Sequence, residues 1–289
     1  MVLHTIPFSG ALHLMSVEAN VVYSLAQEIG FSPEICKMAL EKTKNNLNEA
    51  RRLLTKWRRE QTSDSTNKRL PGAVCSYFDS DVKAGAVVKV TCTDQYLAGS
   101  KEFYEYVSSF NAEIVRFGKP QLTEAIREQL QQKYNCTINT QFVRLEKSHP
   151  NSLLTTYQHR DQIAVIVETA VTKAAAITEL PFKQFSFNCA LHVAAFNPIA
   201  VRDSEIPNEI KATMTRSIEK QLMQNGKSIQ QCAITTASKI NEWAKQRSLL
   251  SQIFIKNEKE SVREIRNQIS EKIGTDVTIL RFARFAMDS

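Results

Sequence analysis

Glycine and proline are both scarce, with eight of each in 289 residues, and tryptophan occurs only twice. Few glycines leave few loops able to cradle a phosphate, because such loops need positive φ angles and close backbone approach. The Gly226-Lys227-Ser228 run has Gln221 where a P-loop requires its first glycine, and it follows a helical pattern rather than a strand. A nucleotide hydrolase of that kind is excluded. The five histidines, at 4, 13, 149, 159 and 192, lack HxxxH or HExxH spacing, and no GxSxG elbow occurs. No metal, cofactor or catalytic centre is therefore expected. The six cysteines, at 36, 75, 92, 136, 189 and 232, are far from zinc-ligand or CxxC spacing, which suits reduced, mostly buried thiols of an intracellular protein. No apolar run approaches the roughly 20 residues of a membrane span. The first fourteen residues carry no Lys or Arg, so they resemble neither a secretory signal nor a transit peptide. A disordered extension over 1–15, or a start at Met15, and a cytoplasmic location are the expectation.

What is present is ordinary globular material: 43% hydrophobic residues, 23% charged and a net charge of +7. Three short helices are expected over 16–59. Val21, Val22, Leu25 and Ile29 form one apolar stripe, Gly30 stops that helix, and Ser32-Pro33 restarts the next. Asn46 followed by Glu49 reads as a capping box for the third. The polar, turn-rich stretch 60–72 is the natural linker.

Beyond it, two stretches share one plan. The first, over 73–148, has strands at 74–78 and 86–92, helices at 101–115 and 122–134, and a β-rich run at 137–146. Its second strand alternates Ala86, Val88, Val90 and Cys92 with Val87, Lys89 and Thr91, as a half-buried strand does. The second stretch, over 149–289, has strands at 153–157 and 163–168, a helix at 182–195 and a late strand at 277–285. A helical hairpin at 207–250 interrupts it, with its turn at 225–228. A short strand at 253–255 and a helix around Val262, Ile265 and Ile269 follow. The fold class is α+β, with antiparallel sheets packed on helices and a structural duplication in element order.

Several motifs in this order resemble those of the elongation factor Ts family. Cys36-Lys37-Met38-Ala39-Leu40 is similar to the family's CKKAL, and Val90-Thr91-Cys92-Thr93-Asp94-Gln95-Tyr96-Leu97-Ala98 to its VNCQTDFVA. Tyr157-Gln158-His159 matches a YQH, and Ala190-Leu191-His192-Val193-Ala194-Ala195 resembles AMHVAA. The resemblance implies that the opening helices form a ubiquitin-associated-type bundle. It also implies that the protein binds elongation factor Tu carrying GDP and promotes nucleotide release, without being an enzyme. A homodimer, or a heterotetramer with that factor, stays open; no membrane or nucleic acid partner is implied.

In the family, the Asp-Phe of TDF wedges into the partner's nucleotide domain. Aligned on Cys92 and Ala98, those places are Gln95 and Tyr96 here, so the carboxylate is replaced by an amide, and Asp94 stands one residue early. Either the loop shifts by one residue or the amide does the positioning. The candidate partner contacts are Asp94, Gln95, Tyr96 and Leu97, with Tyr134 from a second contact strip and His159 from the second hairpin. His192 reads equally as a core histidine. The alternative function is a basic RNA-binding or scaffold protein that keeps the fold, motivated by Arg51-Arg52 and Lys56-Trp57-Arg58-Arg59.

Overall fold

The structure, a computed structural model, describes residues 19–29, 33–63, 70–224 and 229–288. The extension at 1–15, the Gly30 and Ser32 signals and the hairpin turn at 225–228 lie outside the described residues. Helices α1 (Ala19–Ile29), α2 (Pro33–Lys42) and α3 (Leu47–Ser63) enclose a small core of Val22, Leu25, Cys36, Ala39, Leu40, Ala50 and Leu54. Asn46 caps α3 through Oδ1, which accepts the N–H groups of Asn48 and Glu49. The reciprocal half of the expected capping box is not made, because the Asn46 N–H donates to the Thr43 carbonyl instead. α3 also continues to Ser63, into the stretch expected to be linker.

Two three-stranded antiparallel sheets follow, each with its strands in chain order. The first joins β1 (Gly72–Asp79), β2 (Ala84–Cys92) and β3 (Ile138–Glu146). The second joins β4 (Ser152–His159), β5 (Ile163–Val171) and β6 (Val277–Ala286). A four-residue helix α4 (Gln95–Ala98), then α5 (Lys101–Phe117) and α6 (Leu122–Tyr134), link β2 to β3, and α5 lies on β1 and β2. α7 (Leu180–Phe196) lies on β4 and β5, and α10 (Val262–Ile273) packs beside it. α8 (Asn208–Gln224) and α9 (Ile229–Arg247) run side by side as the expected hairpin and return to the body through Ala200, Ile206, Trp243 and Ala244.

The two sheets pack on each other through their remaining faces. Val74, Val87, Leu145, Leu154, Ala164 and Ile166 are buried there, each Val, Leu and Ile side chain contributing up to about 1.5–3 kcal/mol relative to exposure. β2 was expected to be half-buried; instead Val87, on its supposed solvent face, is fully buried beneath the second sheet. Gly85 permits the closest approach. A Cβ there would sit 2.6 Å from Ile166 Cδ1 and 3.0 Å from the Tyr77 carbonyl oxygen.

A charged staple ties the sheets' connection to the second sheet. Glu168, fully buried on β5, accepts the Ser148 N–H at 2.6 Å, the Ser152 hydroxyl at 2.6 Å and Arg281 Nε at 2.7 Å. Burial pushes its carboxyl up, but these donors together outweigh it and hold the group below its ordinary range. The strand expected at 253–255 does not form. Ile253 makes one isolated bridge to Ser261, closing a local loop that joins neither sheet.

Candidate functional site

The segment after β2 is built tightly. The Thr93 N–H donates to the Thr137 carbonyl at 3.1 Å, and the Thr137 N–H returns a bond to Thr93 Oγ1 at 3.0 Å, so the segment starts pinned to the head of β3. Asp94 then has the extended backbone of an N-cap, φ −107° and ψ 117°, and its Oδ1 accepts the N–H groups of Tyr96 at 2.9 Å and Leu97 at 2.7 Å. The Cys92 thiol donates to the Asp94 carbonyl at 3.1 Å. Burial raises the Cys92 thiol's pKa to about 12, so it stays a protonated donor. α4 ends at Gly99, and Ser100 at once caps α5 by accepting the Phe103 N–H at 3.2 Å. Two caps six residues apart leave no slack, and the local sequence supplies both.

Asp94 is the capping residue of this turn. Asp94 is 2% exposed and Leu97 is fully buried in the core of the first sheet. Both were expected at a contact surface; their side chains instead face inward and fix the shape of the turn. Gln95 is exposed on the first turn of α4. Tyr96 is half-buried, and its ring packs against the apolar cluster of α1, α2 and α3.

Tyr134 was also expected at the surface. It is 5% exposed, in the same core as Leu97, with its hydroxyl donating to Glu102 at 2.9 Å. Lys133 binds the same Glu102 carboxylate at 2.8 Å, and that bond, with the Tyr134 hydroxyl, keeps the carboxyl below its usual range. The second contact strip therefore reads as a clamp between α6 and α5.

His159 ends β4, exposed, paired across the strand with Ile163. Its turn is brought to the Gln95 side of the molecule. Asp161 and Gln162 of that turn line an open pocket of ≈ 370 Å³ together with Gln95, Gly99 and Tyr104. The Tyr104 hydroxyl donates to Asp161 Oδ2 at 2.9 Å, and Gln162 donates to Oδ1 at 2.9 Å. The Gln162 amide, with help from Tyr104, holds the Asp161 carboxyl below its usual range. This bridge was not foreseen; neither residue carries a local pattern, and only the packing of the two sheets brings them together.

His192 is a core histidine. It is fully buried, stacks on Phe196 at 4.6 Å and lies parallel to Phe254 at 6.1 Å. Its Nδ1 accepts the Ile255 N–H at 3.2 Å, which puts the proton on Nε2, 3.0 Å from Gln252 Oε1. Among the described residues, no group of three or more His, Cys, Asp or Glu could hold a metal ion. No helix among them is long and apolar enough to cross a membrane.

Comparison with known proteins agrees across nearly the whole chain. A family sequence model described as Elongation factor TS matches residues 97–289. An elongation factor Ts of Borreliella burgdorferi is 31% identical over 260 residues, covering 86% of this chain and 90% of the relative. Those of Bdellovibrio bacteriovorus and Burkholderia cenocepacia are 24% and 26% identical, covering 94% and 95% of this chain and 93% and 92% of the relatives. With two matched antiparallel sheets, a helical hairpin and these alignments in agreement, the chain belongs to the elongation factor Ts family of translation elongation factors.

Proposed function

We propose that this chain binds GDP-loaded elongation factor Tu and accelerates release of the nucleotide, acting as an exchange factor rather than as an enzyme on any substrate. The observation that carries this reading is the capped turn 94–98. It presents an exposed amide and an adjacent aromatic ring on a short, doubly pinned element, where the family's wedge dipeptide aligns. A rigid presenter suits the task, since ordering entropy is spent in folding rather than on binding. Thermodynamically, a partner that prefers the nucleotide-free state weakens GDP binding by the same factor by which GDP weakens the partner.

In this reading Gln95 and Tyr96 make the central contact, and His159 borders it on the neighbouring turn. Asp94, Leu97 and Tyr134 hold the presenter in shape from inside. The helices α1, α2 and α3 form a ubiquitin-associated-type module, joined through the stretch between Ser63 and Gly72 to one sheet subdomain that ends near 148 and a second over 149–289. The setting is cytoplasmic. Release of a fluorescent GDP analogue from the cognate elongation factor Tu, with and without this chain, tests the reading. A rate that rises with the chain's concentration is expected; an unchanged rate would reject it. Steeply salt-dependent RNA binding in place of exchange would favour the scaffold alternative.

A further inference from the structure

The turn that carries His159 has no glycine to ease it. Arg160 stands at φ 51°, in the left-handed region that a non-glycine residue enters only at a cost. The Gln162 N–H donates to the His159 carbonyl at 3.1 Å and closes the turn. Three ties from the first sheet unit hold it there. At the outer edge of β1, the Val74 N–H donates to the Asp161 carbonyl at 3.0 Å and the Ser76 N–H to Gln158 Oε1 at 2.9 Å. The Gln158 amide donates in turn to the Arg160 carbonyl at 2.7 Å. The third tie is the Tyr104 hydroxyl on Asp161 Oδ2 at 2.9 Å. Backbone strain of this kind persists where the surroundings over-determine it, and here the surroundings belong to the other sheet.

Tyr104 differs from the other two ties in where it comes from. It stands in the first turn of α5, whose cap Ser100 directly follows Gly99 at the end of α4. One short path therefore runs from the Asp94 cap through α4, Ser100 and Tyr104 to Asp161 and the His159 turn. We infer that Tyr104 and Asp161 are positioning residues for exchange. They lock the His159 turn to the element that presents Gln95 and Tyr96, so that both halves meet the partner as one preset surface. This rests on the exchange reading for its consequence, while the lock itself concerns the free chain. The gain is preorganisation, because a partner that meets a loose turn spends binding free energy on ordering it. Asp161 suits the part: its carboxyl is held below its usual range by the Gln162 amide and then by Tyr104, and a charged acceptor makes the stronger hydrogen bond. The Tyr104 ring has a contact of its own, edge-on to Phe103 at 6.1 Å, so it stays seated when the hydroxyl is removed.

The test uses the full chain with Tyr104→Phe, Asp161→Ala and Asp161→Asn, the last keeping a carbonyl acceptor for the Tyr104 hydroxyl. Amide hydrogen exchange reads the lock without any partner. Tyr104→Phe and Asp161→Ala are expected to speed exchange at Gln162 and Val74 about fivefold, the worth of one such bond, with the β2 amides unchanged. In stimulated GDP release, both should raise the concentration of chain needed for the half-maximal rate, again about fivefold, and Asp161→Asn should recover most of it. On a His159→Ala background the effect of Tyr104→Phe on that concentration should vanish, since the turn then has nothing left to position. A merely structural role would leave the two effects additive. Unchanged hydrogen exchange at Gln162 and Val74 would overturn the lock, and additive effects would overturn the positioning role. If no chain stimulates release but hydrogen exchange responds to Tyr104→Phe, the exchange reading fails and the positioning role with it, while the lock stands.

Discussion

The Asp94 carboxylate accepts the backbone N–H of Tyr96 at 2.9 Å, so the most buried acidic group of the turn holds in place the residue expected to do its work. Oδ1 of Asp94 also accepts the Leu97 N–H, at 2.7 Å. Asp94→Ala removes both bonds and is expected to cost about 0.5–2 kcal/mol. It should also slow stimulated GDP release more than that cost explains, since the sheets would remain folded while the turn loosens. Asp94→Thr should preserve most of the rate. Melting temperature and GDP release measured on the same samples separate the two effects.

At Gly85 the sheets meet too closely for a side chain. Gly85→Ala would place its Cβ 2.6 Å from Ile166 Cδ1 and is expected to destabilise by about 1–3 kcal/mol. Ile166→Val in the same chain should recover part of the loss. A double-mutant cycle in urea checks it: simple additivity would mean that the strain lies against the Tyr77 carbonyl instead.

These two sites show how far the sequence could be read. Hydrophobic periodicity gave the helices with Phe103, Tyr106, Val107 and Phe110 on one face, and the order of strands, because each element's pattern is local. It misjudged Val87, whose burial depends on a second sheet arriving from residues eighty positions onward. The resemblance named Leu97 and Tyr134 as partner contacts, and both side chains are buried, because a motif marks positions and says nothing of which way side chains point. Asp94 was legible in principle: Asp followed by four helix-compatible residues and Gly99 is the pattern of a capped turn. The Tyr104–Asp161 bridge was not, since nothing in either segment anticipates the other.

The Glu168 staple gives the fold a dependence on acid. Its carboxyl lies below its ordinary 4.5 in the folded chain, so its stabilisation is fully present above about pH 4.5 and is lost as pH falls through the lower folded value. Denaturation by urea at a series of pH values should show stability declining below that point. Glu168→Gln should flatten that part of the profile and cost about 2 kcal/mol near neutrality, Arg281 being partly solvated once its partner is gone. An unchanged slope would remove Glu168 from the acid response.

His192 titrates in the other window. Burial, opposed by the Gln252 bond, holds its pKa below the ordinary 6.5, so the unfolded chain takes up the proton first as pH falls. Its stabilisation is present above pH 6.5 and is lost on acidification through the folded pKa. Nitrogen chemical shifts should report the Nε2–H tautomer at pH 7 and a titration midpoint below 6.5. An Nδ1–H tautomer would contradict the Ile255 bond.

The central claim is that Tyr96, carried on the turn capped by Asp94, takes part in expelling GDP from elongation factor Tu. The direct measurement is stimulated release of a fluorescent GDP analogue, comparing the unaltered chain with Tyr96→Ala and Tyr96→Phe. The ring's burial at the centre of an interface is worth a loss on the order of tenfold for Tyr96→Ala, with Tyr96→Phe close to the unaltered rate. Equal rates for Tyr96→Ala and the unaltered chain would contradict the account.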